Sequence, residues 1–217
     1  MSNNQVGTYK LVASPFHLDV RGKLSMGVLG KHLLNCADAY AAERGFDVVE
    51  QGGEHYTWVL SRLAIELEDL PSCHESFSIQ TWVENVYRLF ADRNFVICDK
   101  DEKPIGYVRS VWAMISMETR NPANLLALYG DRITNSICEK ECPIAKPGRI
   151  KVSQQEAVRE YVAKYSDLDI NGHVNSIKYI EHILDIFPLD TYKKKALKRF
   201  EIAYVAESYY GDTLCFY

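Results

Sequence analysis

Ser166-Asp-Leu-Asp-Ile-Asn-Gly-His173 is the stretch on which the fold turns, because the chain has said nearly the same thing before. Set above it, Phe16-His-Leu-Asp-Val-Arg-Gly-Lys23 aligns without a gap at an offset of 150 (166 − 16). Leu18, Asp19 and Gly22 meet Leu168, Asp169 and Gly172, and Val20 faces Ile170. The alignment runs on to His32 over His182 and Leu33 over Ile183. Both stretches sit between a strand-like run and a helical periodicity, so the similarity reads as an internal repeat: two copies of one unit in one chain.

Outward from the first copy, Gly7 to Leu18 reads as a strand and Asp19 to Gly22 as a turn. Leu29, Leu33, Cys36, Ala37, Tyr40 and Ala41 then recur at three and four residues, the spacing of one helix face, and Gly45 falls where such a helix would stop. Val48 to Tyr56 is Gly-rich and reads as a loop. Strand-like runs follow at Thr57 to Leu67, Ser76 to Val86, Leu89 to Cys98 and Ile105 to Met117, the last two joined by the turn cluster Asp99-Lys-Asp-Glu102. One helix wrapped by one antiparallel sheet is the simplest architecture for that order. Residues 121–153 hold Pro122, Pro143, Pro147 and Gly148 and read as a linker with a short helix near Leu125 to Tyr129. The second copy restarts with a strand, Glu156 to Tyr165, a turn, a helix from Val174 to Phe187 stopped by Pro188, and a strand from Phe200 to Ser208. The expected organisation is a first unit at 1–120, a linker at 121–153 and a second unit at 154–217.

Composition excludes several function classes. With 47% hydrophobic and 25% charged residues the chain is globular rather than disordered. A net charge of −4 lacks the basic surplus of a nucleic-acid binder. No apolar run approaches the roughly 18 residues of a membrane span. The six cysteines are scattered; Cys138 and Cys142 alone are close, without a second pair or a nearby His, so reduced thiols in the cytoplasm are expected and no metal. The 14 Tyr, 8 Phe and 3 Trp favour a sheet-rich fold with a large apolar interior.

The copies differ where chemistry would matter. Arg21 and Lys23 of the first are replaced by Asn171 and His173 in the second, an amide and an imidazole, which position and move protons. Asp169-x-Asn171-x-His173 sets polar groups at alternate positions just before a helix, with Asn175 placed to cap it. The same pattern also suits a plain turn in which Asp169 and Asn171 bond local backbone. Trp82, Trp112 and the aromatic strands are most simply core.

Here the chain resembles the acyl-acyl carrier protein thioesterases of plants and bacteria. Ser166 to Ile180 is similar to a stretch of the plant members. Tyr204-Val-Ala-Glu-Ser208 corresponds to their Tyr-Arg-Arg-Glu-Cys. Trp58-Val59, Thr81-Trp82, Ser110-Val-Trp-Ala-Met114 and Glu118-Thr-Arg120 also resemble family signatures, in order over nearly the whole chain. The resemblance implies an α+β double hot-dog, two helix-in-antiparallel-sheet units side by side. It implies hydrolysis of a fatty acyl thioester on acyl carrier protein, with no cofactor. Carried over, it points to Asp169, Asn171, His173 and Glu207 as catalytic, with Glu207, alone or with His173, as general base to a water. Asn171 would hold the water or carbonyl, and a helix-start N–H near Val174 would face the oxyanion. Val174, Asn175, Trp82 and Trp112 are the expected substrate contacts, and the acyl pocket is expected in the first unit. Ser208 stands where plants have Cys, which argues against a required thiol nucleophile. An acyl-CoA thioesterase and a non-catalytic acyl-binding protein of the same fold remain as alternatives, the chain being a monomer or a homodimer. Lys193-Lys-Lys195 with Lys198-Arg199 would suit either an acidic carrier protein or the phosphates of coenzyme A.

The repeat also predicts where strands should fall late in the chain. Asp212 matches Glu75 once the connection after the second helix is shortened, an offset of 137 (212 − 75). The first unit continues to Met117 beyond that point, whereas the second has only Thr213 to Tyr217. A second unit truncated relative to the first, ending in a strand at Leu214 to Tyr217, is the expectation.

Overall fold

A computed structural model of the chain describes residues 5–148 and 156–217. Strand β1 (Gly7–Val12) is followed by a 3₁₀ turn at Pro15–His17, not by the longer strand expected to Leu18. Pro15 has no N–H to give a sheet ladder, which favours the turn. Helix α1 (Met26–Glu43) starts where the Ser25 hydroxyl accepts the Val28 N–H, and it buries the expected face, Leu29, Leu33, Cys36, Ala37, Tyr40 and Ala41. The Gly-rich stretch expected as a loop is a tight hairpin between β2 (Val49–Gln51) and β3 (Glu54–Leu67). Gly52 and Gly53 both carry positive φ, +66° and +83°, as a two-residue turn of this hand requires. Strands β4 (Ser76–Val86), β5 (Ala91–Cys98) and β6 (Pro104–Ser116) complete an antiparallel sheet in the order β1-β4-β5-β6-β3-β2, packed on α1.

The segment expected as a linker is packed structure as far as residue 148. Helices α2 (Leu125–Tyr129) and α3 (Asp131–Thr134) bury Leu125, Tyr129 and Ile133 against Tyr40, Phe46, Val83 and Met114. Apolar residues four apart give this segment a face of its own, so it joins the core rather than spanning solvent. Cys142 and Ile144 cover Trp82 on the other side of the sheet. Residues 149–153 of the expected linker, and 154–155 of the expected second unit, lie outside the described residues.

The second copy follows with β7 (Arg159–Val162), a 3₁₀ turn at Tyr165–Asp167, α4 (Ser176–Leu184), α5 (Leu189–Lys194), β8 (Arg199–Ala203) and β9 (Thr213–Phe216). The second helix ends at Leu184, short of Phe187, and Pro188 caps the next one. Gly22 and Gly172 share a positive φ, +72° and +78°. The Leu24 N–H donates to the Pro71 carbonyl at 2.8 Å, and its counterpart Val174 donates to the Ser208 carbonyl at 2.8 Å. Strand β7 pairs with β9 in the register of β1 with β4: Val12 faces Ser76, and Val162 faces Thr213.

Strand β8 does not lie in the β7–β9 sheet. It pairs antiparallel with β3, with Ala64 opposite Glu201. Those two residues are counterparts under the 137 offset (201 − 64), so the copies meet about a local two-fold axis, with β8 joining the first unit's sheet and β7–β9 forming a separate two-stranded sheet. Helix α4 packs across α1, where Ile177 presses on Gly30. This is the side-by-side arrangement of two helix-in-sheet units, with the second carrying three strands among the described residues.

Candidate active site

The turn before α4 is built by Asp169. Its Oδ1 accepts the backbone N–H of Asn171 at 2.8 Å and of His173 at 3.3 Å. Asp19 does the same for Arg21 and Lys23 in the first copy, at 2.8 and 3.3 Å. Asp169 is thus the frame of the turn, as the plain-turn reading allowed, and it also lines the cavity described below. The turn presents Asn171, exposed at the cavity rim, and His173, partly buried edge-on against Tyr209 with ring centroids 5.0 Å apart.

Glu207 is not on a strand as expected. Residues 204–208 leave β8 and run back toward the turn, held by the Tyr204 N–H to the Ser61 carbonyl at 2.9 Å and by Val174 to Ser208. That course carries Glu207 Oε1 to 3.6 Å from His173 Nδ1, with the same oxygen taken by Arg120 of the first unit. Arg120 has φ +58°, a left-handed conformation uncommon for a side-chain-bearing residue, at the turn after β6. It appeared in a family signature but carried no expected role; no local pattern connects position 120 with 207. The Tyr204 hydroxyl reaches the N-terminus of α4, donating to the Ser176 carbonyl at 2.8 Å. Burial, then neighbouring Tyr179, push that hydroxyl's pKa up, so it remains a donor.

Two expectations are corrected, the N–H near Val174 as oxyanion donor and Trp82 as a substrate contact, while Val174 and Asn175 do line the cavity. The Val174 N–H is committed to Ser208, and the Asn175 N–H to the Asp167 carbonyl at 2.8 Å, so neither is available to an oxyanion. Asn175 caps α4 through its side chain, which accepts the Ile177 N–H, and Ser176, the first helical residue, has an N–H without an acceptor among the described residues. Trp82 does not line the cavity: it is fully buried on the opposite face of β4, its indole N–H donating to the Lys140 carbonyl at 2.9 Å. Alternate strand residues point to opposite faces, and it is the next residue, Val83, that lines the cavity. Trp112 does line it. Ser208 is not among the lining residues.

The cavity, about 360 Å³, joins the two units. At one end stand Asn171, His173, Glu207 and Arg120; from there it runs beneath α1 among Trp58, Leu60, Val83, Ala91 and Trp112. Among the described residues no cluster of His, Cys, Asp and Glu could hold a metal. The basic stretch is partly engaged elsewhere: Arg199 pairs with Glu66 and Glu201, and Lys193 with Asp190.

Comparison with known proteins places this architecture. Residues 8–130 match the model of the acyl-ACP thioesterase N-terminal domain, and residues 150–216 that of the C-terminal domain. An acyl-ACP thioesterase from Bacteroides thetaiotaomicron of known structure is 61% identical, with a TM-score of 0.91 over 98% of this chain and 86% of that one. The 12:0-ACP thioesterase from Umbellularia californica, 16% identical, shares the fold with a TM-score of 0.79 over 96% of this chain and 80% of its own. A chloroplastic palmitoyl-acyl carrier protein thioesterase of Gossypium hirsutum is 24% identical over 180 residues, 80% of this chain and 44% of its own length. The chain spans less than half the length of the curated relatives it matches. With both domain models matched in order, on a double hot-dog whose halves meet at one cavity, the chain belongs to the acyl-ACP thioesterase family.

Proposed function

We propose that the protein hydrolyses the thioester of a fatty acyl chain on acyl carrier protein, with water as the nucleophile. One observation carries this reading: a polar cluster of Asn171, His173 and Glu207 opens directly into an apolar cavity in the neighbouring unit. A thioester at that junction would have its alkyl chain in the first unit and its carrier outside. The first unit, to about residue 120, would hold the chain, and the second, from about 154, would supply the chemistry.

His173 Nδ1 faces Glu207, so Glu207 orients the ring and Nε2 is left to take the proton from water. Arg120 holds the same carboxylate oxygen and so fixes the position from which Glu207 faces the His173 ring. The water oxygen bonds to the thioester carbon, and the carbonyl oxygen takes the charge near the Asn171 amide and the Ser176 N–H. Collapse breaks the C–S bond, and the leaving thiolate recovers the proton from His173. The products are a free fatty acid and the carrier thiol. Unpaired cysteines throughout the described residues suit a cytoplasmic setting, and the internal two-fold supplies within one chain a pairing that favours a monomer.

The test is hydrolysis of a panel of acyl-carrier-protein and acyl-CoA thioesters by wild type and variants. His173→Ala and Glu207→Gln are expected to lower kcat by about 10²-fold or more, and Ser208→Ala to leave it near wild type. A Ser208→Ala loss as large as that of His173→Ala would restore a covalent route, and faster turnover of coenzyme A esters would transfer the activity to that carrier.

A further inference from the structure

The cavity that receives the alkyl chain contains a buried cation. Arg93, on β5, is 6% exposed and lines the cavity beneath α1. Strand β5 lies two places from β3, with which β8 pairs before the chain runs on to Glu207, so Arg93 stands on the cavity wall about 10 Å, two strand spacings, from that side. No carboxylate among the described residues lies within ion-pair distance of it. Its neighbour Asp92 projects from the other face of the strand, bonded to Lys146 at 2.8 Å. What surrounds the guanidinium is modest. Nη1 reaches Thr81 Oγ1 at 3.4 Å, an oxygen that already donates to the Asn94 carbonyl. The Tyr40 ring lies 4.5 Å from its central carbon, and Arg44 sits against that same ring at 3.6 Å.

A guanidinium carries five N–H donors, and a buried one without acceptors is expensive. An unsubstituted alkyl chain filling this cavity would shut Arg93 away from water and return nothing. A chain bearing an oxygen at that position would supply the acceptor. We propose that Arg93 makes this part of the cavity a recognition site for an oxygenated acyl chain, one with a hydroxyl or keto oxygen remote from the thioester. The proposal rests on the thioesterase reading and adds the substrate class. Burial pushes the Arg93 pKa down to about 10, which still leaves it charged at neutral pH. Sites built to bond a substrate oxygen discriminate strongly against the analogue lacking it, because their own polar group is then stranded.

The experiment walks a single hydroxyl along acyl-carrier-protein thioesters of one chain length, with the unsubstituted chain as reference. Wild type is expected to show a maximum in kcat/KM at one remote position, about tenfold or more above the unsubstituted ester. Arg93→Met should erase that maximum, bringing the ratio of hydroxylated to unsubstituted kcat/KM to about one at every position, and Arg93→Lys should retain part of it. A flat profile in wild type, or a maximum that survives in Arg93→Met, overturns the proposal. If Arg93→Met does not fold, the wild-type profile and Arg93→Lys decide. If no thioester is hydrolysed, the thioesterase reading fails on its own. The site is then judged by binding of free hydroxy fatty acids against unsubstituted ones in wild type and Arg93→Lys: equal affinity refutes it, and tighter binding of one hydroxy isomer upholds it.

Discussion

Gly30 on α1 offers a sharp check on how the two units meet. A Cβ added there would lie 2.6 Å from Ile177 Cδ1 on α4. Ile177 is 1% exposed and has little room to retreat. In an open helix Gly→Ala gains about 1 kcal/mol, whereas forcing a methyl into a packed interface costs about 1–3 kcal/mol. Gly30→Ala should therefore be neutral to about 2 kcal/mol destabilising. Gly27, one turn earlier, is an internal control. Its added Cβ would meet the Glu181 carboxylate, the far end of a partly exposed side chain that can swing away. Gly27→Ala should be close to neutral or stabilising, so the two variants should differ by about 1–3 kcal/mol with helix propensity cancelled. Ile177→Val removes the offending Cδ1. Alone it should cost about 0.5–1.5 kcal/mol; in the Gly30→Ala background it should cost nothing or restore stability. Equilibrium unfolding in urea measures all four variants, and kcat follows whether the shared site shifts with the helices. Equal stability of Gly30→Ala and Gly27→Ala, or strict additivity with Ile177→Val, would refute the close contact between α1 and α4.

Arg120→Met should lower kcat by about tenfold to 10²-fold with little change in KM, since it frees Glu207 to drift from His173. Arg120→Lys should recover part of the loss, and an unchanged kcat in Arg120→Met would remove Arg120 from the site. Arg21→Ala with Lys23→Ala should leave kcat near wild type, because Arg21 is engaged with Asp19 and Lys23 with Asp69, and neither offers a base; loss of chemistry in a folded double variant would contradict a single active copy. Asp167 gives a pH signature. Burial opposes its ionisation, but the Lys164 N–H, the Tyr161 hydroxyl and His182 outweigh that and hold the carboxyl below the usual range. Its stabilising contribution is therefore present above the unfolded value of about 3.9 and is lost as pH falls through the lower folded value. The stability gap between wild type and Asp167→Asn in urea should close below about pH 4, and a gap that persists at low pH would be inconsistent with this assignment.

Much of the molecule was legible along the chain because its determinants are local. The period of Leu29 to Ala41 is a helix face wherever it packs, and Gly22 and Gly172 mark turns that need positive φ. Asp19 and Asp169 close those turns over only a few residues, so the repeat could be found by comparing two short stretches, and its 137 offset carried through to β9. The resemblance of the motifs then brought Asp169, Asn171, His173 and Glu207 together as candidates. The tertiary structure decided what depends on distant partners. The pairing of β8 with β3 rather than within its own unit is a contact between strands over 130 residues apart, fixed by which edge is open once the first sheet has formed. Trp82 and Trp112 look alike in sequence, but the pleat sends one beneath residues 138–144 and the other into the cavity. Arg120 and Arg93 are ordinary charged positions in the sequence. One became the clamp on Glu207 and the other a buried cation, because folding set a carboxylate beside the first and none beside the second.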